Sequence, residues 1–254
     1  MAKPVVIIGM GEMAGVFARA FLRNSTAVHP VTRQTDIAQT AEQLPWPELV
    51  LVAVGEKDLQ ETLTNLPDCW RRNTVLLQNE LLPRDWEPHQ LEELTVISVW
   101  FEKKKGMDFK VLIPSPVYGP MADFLQESLA SIGIPCKILD SDEQLLHELV
   151  LKNVYIVTTN VAGLVTGGTV SELWKKHEAL TRVIANEVMD IQEWLTGKQL
   201  DREQMISDML LAFDGDPEHN CMGRSAPTRL KRALEIADEA GLAVPEMRKI
   251  AKQA

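Results

Sequence analysis

Val5-Val6-Ile7-Ile8 is a short unbroken apolar run, the pattern of a strand buried on both faces of a parallel sheet. Gly9 and Gly11 follow at once, and residues 13–21 then read as an amphipathic helix with small residues near its start. Apolar runs at 27–31, 48–55 and 73–79 predict further strands, with a helix over 58–66. Two β-rich runs, 94–101 and 109–113, flank Lys103-Lys104-Lys105-Gly106; they predict a hairpin added to the parallel core, with the basic run as its solvated turn. A helix over 121–132 and a short strand over 136–139 close this half. Ser141-Asp142-Glu143-Gln144 is then a capping-box pattern, with Ser141 as N-cap and Gln144 reaching back. Helical patterns follow at 145–165, 170–196, 201–213 and 225–240. The last of these ends at Gly241, where a C′ glycine is expected, and a short terminal helix begins near Val244. No strand pattern reappears. The chain is therefore expected to divide into an α/β domain over 1–141 and an all-helical domain over 142–254.

The strand–glycine–helix opening carries the first chemical signal. Gly9-Met10-Gly11-Glu12-Met13-Ala14 fits G-x-G-x-x-G/A, the turn of a Rossmann domain with a mostly parallel sheet. Gly9 would make the tight turn, Gly11 would let a pyrophosphate approach the backbone, and Ala14 would let the helix pack closely on its strand. The N–H groups over Glu12 and Met13 supply donors and a positive dipole end for the phosphates. In such units an acid ~20 residues beyond the glycines holds the ribose 2′-hydroxyl of NAD, whereas an Arg there suits the 2′-phosphate of NADP. Here Thr32 and Arg33 follow the second strand, so NADP is the expected cofactor. Val54-Gly55 and Gln78-Asn79 end the next two strands and are expected to flank the nicotinamide end, with Asn79 either bonding substrate or carboxamide or serving as a turn Asn.

Composition narrows the class. The chain of 254 residues has 45% apolar and 24% charged residues and a net charge of −10, which argues against nucleic acid and anionic membrane as partners. Cys69, Cys136 and Cys221 form no CxxC pair, no uninterrupted apolar run reaches ~20 residues, and the N-terminal segment reads as a strand rather than a signal peptide. The expectation is a cytoplasmic globular protein with a small-molecule substrate and no metal cluster. An apolar face of the helical half could serve a homodimer.

Lys152 stands out in the helical half, within Leu149-Val150-Leu151-Lys152-Asn153-Val154-Tyr155-Ile156-Val157. Lys is seldom buried without a partner, so it either snorkels to solvent or points into an interdomain cleft, where it could protonate a substrate oxygen. Tyr155 and Thr159 share its helix face, with Asn160 at the margin; Asp208 and His219 are further polar candidates.

Taken over nearly its whole length, the chain resembles the ketopantoate reductase family, NADPH-dependent enzymes that reduce a 2-keto acid. The resemblance rests on Gly9-Met10-Gly11, Arg33, Gln78-Asn79, Lys152 with Asn160, Glu172-Leu173, and the closing Ala240-Gly241 with Pro245. It implies a Rossmann domain followed by an all-helical domain of the 6-phosphogluconate dehydrogenase C-terminal type. It also implies Lys152 as general acid and Asn160 or Asn79 on the substrate. Departures are concrete: Ser225 stands where the family has a substrate-orienting Glu, Ile156 where it has an Asn, Asp208 where it has a Ser. Glu80 follows Asn79 in place of Gly, and Gly55, with Lys57 nearby, stands where a Lys is expected. These substitutions keep a second function open, a dinucleotide-binding sensor or partner protein without reductase turnover.

Overall fold

A computed structural model describes residues 3–253. Among the described residues there are nine strands: β1 (Val5–Ile8), β2 (Val28–Val31), β3 (Val50–Val52), β4 (Thr74–Leu76), β5 (Thr95–Ile97), β6 (Phe101–Lys103), β7 (Phe109–Val111), β8 (Ser115–Tyr118) and β9 (Cys136–Ile138). Seven of them form one sheet in the order β2-β1-β3-β4-β5-β8-β9, parallel throughout except at the antiparallel β5–β8 pair. The inner strands β1, β3 and β4 are buried at every position, as their Val, Ile and Leu content requires. Edge strand β2 is partly exposed and carries Pro30, whose missing N–H is tolerated because only one neighbour, β1, pairs with it.

Helices α1 (Glu12–Arg23), α2 (Ile37–Gln43), α3 (Leu59–Thr64) and α4 (Ala122–Ala130) accompany the sheet. Phe17 and Phe21 of α1 and Leu125 and Leu129 of α4 are fully buried in the core beside β1, β3 and β4. The expected helix over 58–66 is a 3₁₀ turn, Glu56–Asp58, running into α3. Two elements lay outside the sequence reading. In α2 only Thr40 and Ala41 are buried, too few positions for a period to show; Asp36 caps it by accepting from the Gln39 N–H at 3.0 Å. In β8 the breakers Pro116 and Gly119 hide a strand buried at its first three positions. The hairpin also needs correction. Its strands are β6 and β7, which form a separate two-stranded antiparallel sheet, whereas β5 is a core strand of the main sheet, parallel to β4 and antiparallel to β8. The hairpin lies on α1: the Phe101 and Phe17 rings are 6.0 Å apart, and Arg19 pairs with Asp108 at 3.1 Å.

The second half is helical: α5 (Asp142–Thr166), α6 (Val170–Thr196), α7 (Arg202–Gly215), α8 (Ala226–Ala240) and α9 (Pro245–Ala251). The Ser141 hydroxyl accepts from the Gln144 N–H, while the Gln144 side chain reaches the Asp140 N–H, one residue before the N-cap. Thr169 and Glu172 form a full capping box on α6, and Gly241 ends α8 at φ +68°. Glu187, buried on α6, accepts from the N–H groups of Glu246 and Met247 at 2.7 and 2.8 Å and so caps α9 from outside its own chain segment. By length and hydropathy α5 could cross a membrane, which a count of unbroken apolar residues does not reveal; 78% of its apolar window is buried inside the protein. The chain forms two compact units that divide between Leu149 and Val150, inside α5.

Candidate functional site

In the first unit the chain reverses direction across the sheet at β1, with β2 on one side and β3 on the other. Ligands of open α/β sheets bind at the carboxyl ends of strands beside such a reversal. Gly9 sits there at φ +89°, and its N–H donates to Val31 O at 2.9 Å. A Cβ on Gly9 would lie 3.0 Å from both Val54 Cγ1 and the Val54 N, so no other residue fits without movement. Gly11 is the N-cap of α1. A Cβ there would meet nothing within 4 Å, and no side chain caps the helix. The open backbone and uncapped N–H groups are what an anionic pyrophosphate requires. Ala14 is fully buried, as close helix–strand packing demands.

Gly9, Met10, Gly11, Arg33, Val54 and Gly55 line one cleft of about 750 Å³. Arg33 stands at its rim with its side chain 87% exposed, 3.5 Å from the Asp58 carboxylate, an exposed pair that contributes little. Thr32 and Thr35 close the turn after β2 through their hydroxyls, 3.2 Å apart. Three other expected cofactor residues lie elsewhere. Met13 packs against the core, and Glu12 pairs with Lys103 of β6 at 3.2 Å over an adjoining cleft of about 460 Å³. Asn79 is exposed in the turn after β4 and does not line the 750 Å³ cleft. Its neighbour Gln78, expected beside it at the nicotinamide end, bonds the protein's own backbone instead. It is buried, and its Nε2 donates to Val52 O at 2.7 Å and to Val54 O at 3.3 Å, fixing the loop that covers Gly9. A Gln inside an apolar run was the available signal.

The second unit gathers a separate cluster around Lys152. Burial, and then the nearby Arg229 guanidinium, push its ammonium down from the usual value to about 7. Its Nζ lies 6.0 Å from the centre of the Tyr155 ring, which meets Phe213 edge-on at 5.6 Å and faces the His219 ring at 6.4 Å. Asn160 is buried; its Nδ2 donates to Cys221 O at 3.2 Å, and its Oδ1 accepts from Arg229 at 3.0 Å. Thr159 bonds back to Tyr155 O and Ile156 O of its own helix. Asp208 accepts from Gln204 at 2.9 Å, one turn away on α7. Ser225 is exposed at the N-cap of α8, with no side-chain bond to the helix. Arg229, one turn further along, occupies the site instead.

The three cysteines are free, and burial pushes the Cys136 and Cys221 thiols up to about 12 and about 11, so neither is a thiolate nucleophile at neutral pH. Among the described residues no group of three or more His, Cys, Asp or Glu is placed to hold a metal ion.

Neither a protein-family model nor a curated protein matches the sequence. Solved structures do match in fold. A 2-dehydropantoate 2-reductase from Methylococcus capsulatus superposes with a TM-score of 0.70 at 12% identity, over 98% of this chain and 95% of that one. A probable 2-dehydropantoate 2-reductase from Bacillus subtilis gives 0.68 at 16%, over 98% of both chains. A D-mandelate dehydrogenase solved with NADH gives 0.66 at 14%, over 98% and 96%. The chain has the fold of the ketopantoate reductases from end to end, a mostly parallel seven-stranded sheet followed by a helical part.

Proposed function

We propose that the protein is an NADPH-dependent reductase of a small carbonyl compound of the 2-keto acid class, with Lys152 as general acid. The observation that carries this reading is Lys152 itself, half-buried on α5 with its Nζ 6.0 Å from the Tyr155 ring; burial and the Arg229 guanidinium push its ammonium down to about 7, in the range that suits a proton donor. The cleft at Gly9 and Gly11 fits a dinucleotide: a bare helix N-terminus, a glycine that must be glycine, and open space in front of Gly11. Arg33 at the rim supports NADP, since a guanidinium reads a 2′-phosphate and no acid ends β2. The 2-dehydropantoate 2-reductases among the structural neighbours, and the mandelate dehydrogenase solved with NADH, support the same chemistry.

When bound, the reduced nicotinamide supplies a hydride to the carbonyl carbon. The chain's own part is to hold the phosphates on α1, the 2′-phosphate on Arg33, and a proton on Lys152 Nζ for the oxygen that gains charge as the C=O bond opens. Asn160 keeps Arg229 and the Cys221 carbonyl in place. Asn79, exposed at the carboxyl end of β4, is the candidate for orienting substrate or carboxamide.

Titration with NADPH and with NADH, followed by nicotinamide fluorescence, tests the cofactor. Arg33→Ala is expected to weaken NADPH by about 10- to 100-fold and leave NADH alone, the loss of one charge-assisted phosphate contact. Steady-state reduction of 2-keto acids by the wild type and by Lys152→Ala tests the chemistry. Loss of turnover with NADPH affinity retained supports the reductase. NADPH binding without turnover in the wild type supports instead a dinucleotide-binding sensor or partner, a reading that Ile156 and Glu80 favour. We also propose a homodimer, for which Val183 and Trp194 on α6 and Leu211 on α7 supply exposed apolar surface, and one structural neighbour is described as dimeric. Light scattering at micromolar concentration checks it.

A further inference from the structure

A pocket for a keto acid needs a cation for the carboxylate as well as a proton donor for the carbonyl. Lys152 can serve only one of these. Arg229 lies in the first turns of α8, and one of its guanidinium N–H groups is taken by Asn160 Oδ1 at 3.0 Å. Asn160 is 8% exposed and is itself tied to the Cys221 carbonyl, so a buried amide fixes where the guanidinium points. Asn160 and Lys152 both belong to α5, a single rigid element, which sets the ammonium and the guanidinium on a common support. The guanidinium is close enough to disfavour positive charge on Lys152. Tyr155 and Phe213, edge to face, give the same neighbourhood an apolar wall for an organic side chain.

We propose that Arg229 reads the carboxylate of the substrate: it pairs with the carboxylate of a small 2-keto acid whose carbonyl oxygen faces Lys152, and Asn160 is the positioning residue that holds it there. The proposal rests on the reductase reading above and adds the group that selects an acid over a neutral ketone. A 2-keto acid carries carboxylate and carbonyl on adjacent carbons, so one small molecule offers both an anion for a planar fork of donors and an oxygen for an ammonium.

The test compares pyruvate, ketopantoate and benzoylformate with their methyl esters, which match them in shape but carry no charge. Two readouts are taken with wild type, Arg229→Gln and Arg229→Lys: kcat/KM with NADPH, and binding to the NADP⁺ complex by calorimetry. The expected wild-type preference for at least one acid over its ester is about 100-fold. It collapses towards unity in Arg229→Gln, chiefly through KM, and returns in part in Arg229→Lys. Melting temperatures within a few degrees of wild type exclude a folding defect, and Arg229→Lys keeps the test alive if Arg229→Gln does not fold. An acid-to-ester ratio that is unchanged in Arg229→Gln overturns the assignment while leaving the reductase standing. Acid binding that depends on Arg229 without turnover upholds the anchor and overturns the reductase. A wild type that neither binds nor prefers any of the three acids overturns the anchor.

Discussion

An ammonium group taken out of water is disfavoured against its neutral form, and Lys152 is held in that condition with Arg229 nearby. Between about 7 and the ordinary value of 10.5 the unfolded chain binds a proton that the folded chain does not, so stability rises with pH across that window. The cost of burial is greatest below pH 7, of the order of a few kcal/mol. Lys152→Met should therefore abolish carbonyl reduction yet raise the melting temperature, by more at pH 6 than at pH 10; differential scanning at the two pH values checks it. Reduction by the wild type should fall about tenfold per unit above pH 7 as the donor loses its proton, and in Arg229→Gln that limb should move to higher pH, read from kcat/KM profiles. Gly9 is the opposite kind of residue, fixed by geometry rather than charge. Gly9→Ala forces φ +89° on an L-residue and drives its Cβ against Val54, costing about 1–3 kcal/mol in urea unfolding and weakening NADPH together.

Elements whose burial is periodic were readable from the chain, and elements fixed by local chemistry were not. β1 declares itself through Val5-Val6-Ile7-Ile8, and α6 through a long amphipathic period that the structure places at Val170–Thr196, as expected. By contrast α2 rests on Asp36 and two buried residues, and β8 is a strand between breakers. In the candidate site the glycine turn and Lys152 were legible, because unusual residue types interrupt regular patterns. The backbone role of Gln78, and Arg229 altogether, were not, because they depend on partners distant in sequence: the Val52 and Val54 carbonyls for one, Asn160 for the other. Glu187 belongs to the same class. Glu187→Ala should leave two N–H groups at the start of α9 without their acceptor, costing roughly 1–3 kcal/mol, with faster hydrogen exchange at Glu246 and Met247 than in Glu187→Gln, which keeps one acceptor.

At the scale of the molecule, the two compact units share a helix instead of a linker. Leu145 and Leu149, only 4% and 3% exposed, lie on the α5 segment that belongs to the first unit. A fragment ending at residue 141 should therefore fold less well than one ending at residue 149, a comparison that thermal melts of the two fragments would settle.

The rim of the sheet has a last consequence. An open β-edge is a template on which a second chain can extend the ladder, and repeated extension grows a fibril. On β2 that rim presents Pro30, exposed and without an N–H to offer an incoming strand. The residue interrupts the row of donors that a copy of the chain would otherwise read, so that crowding in a cell is met by a sheet with a broken edge.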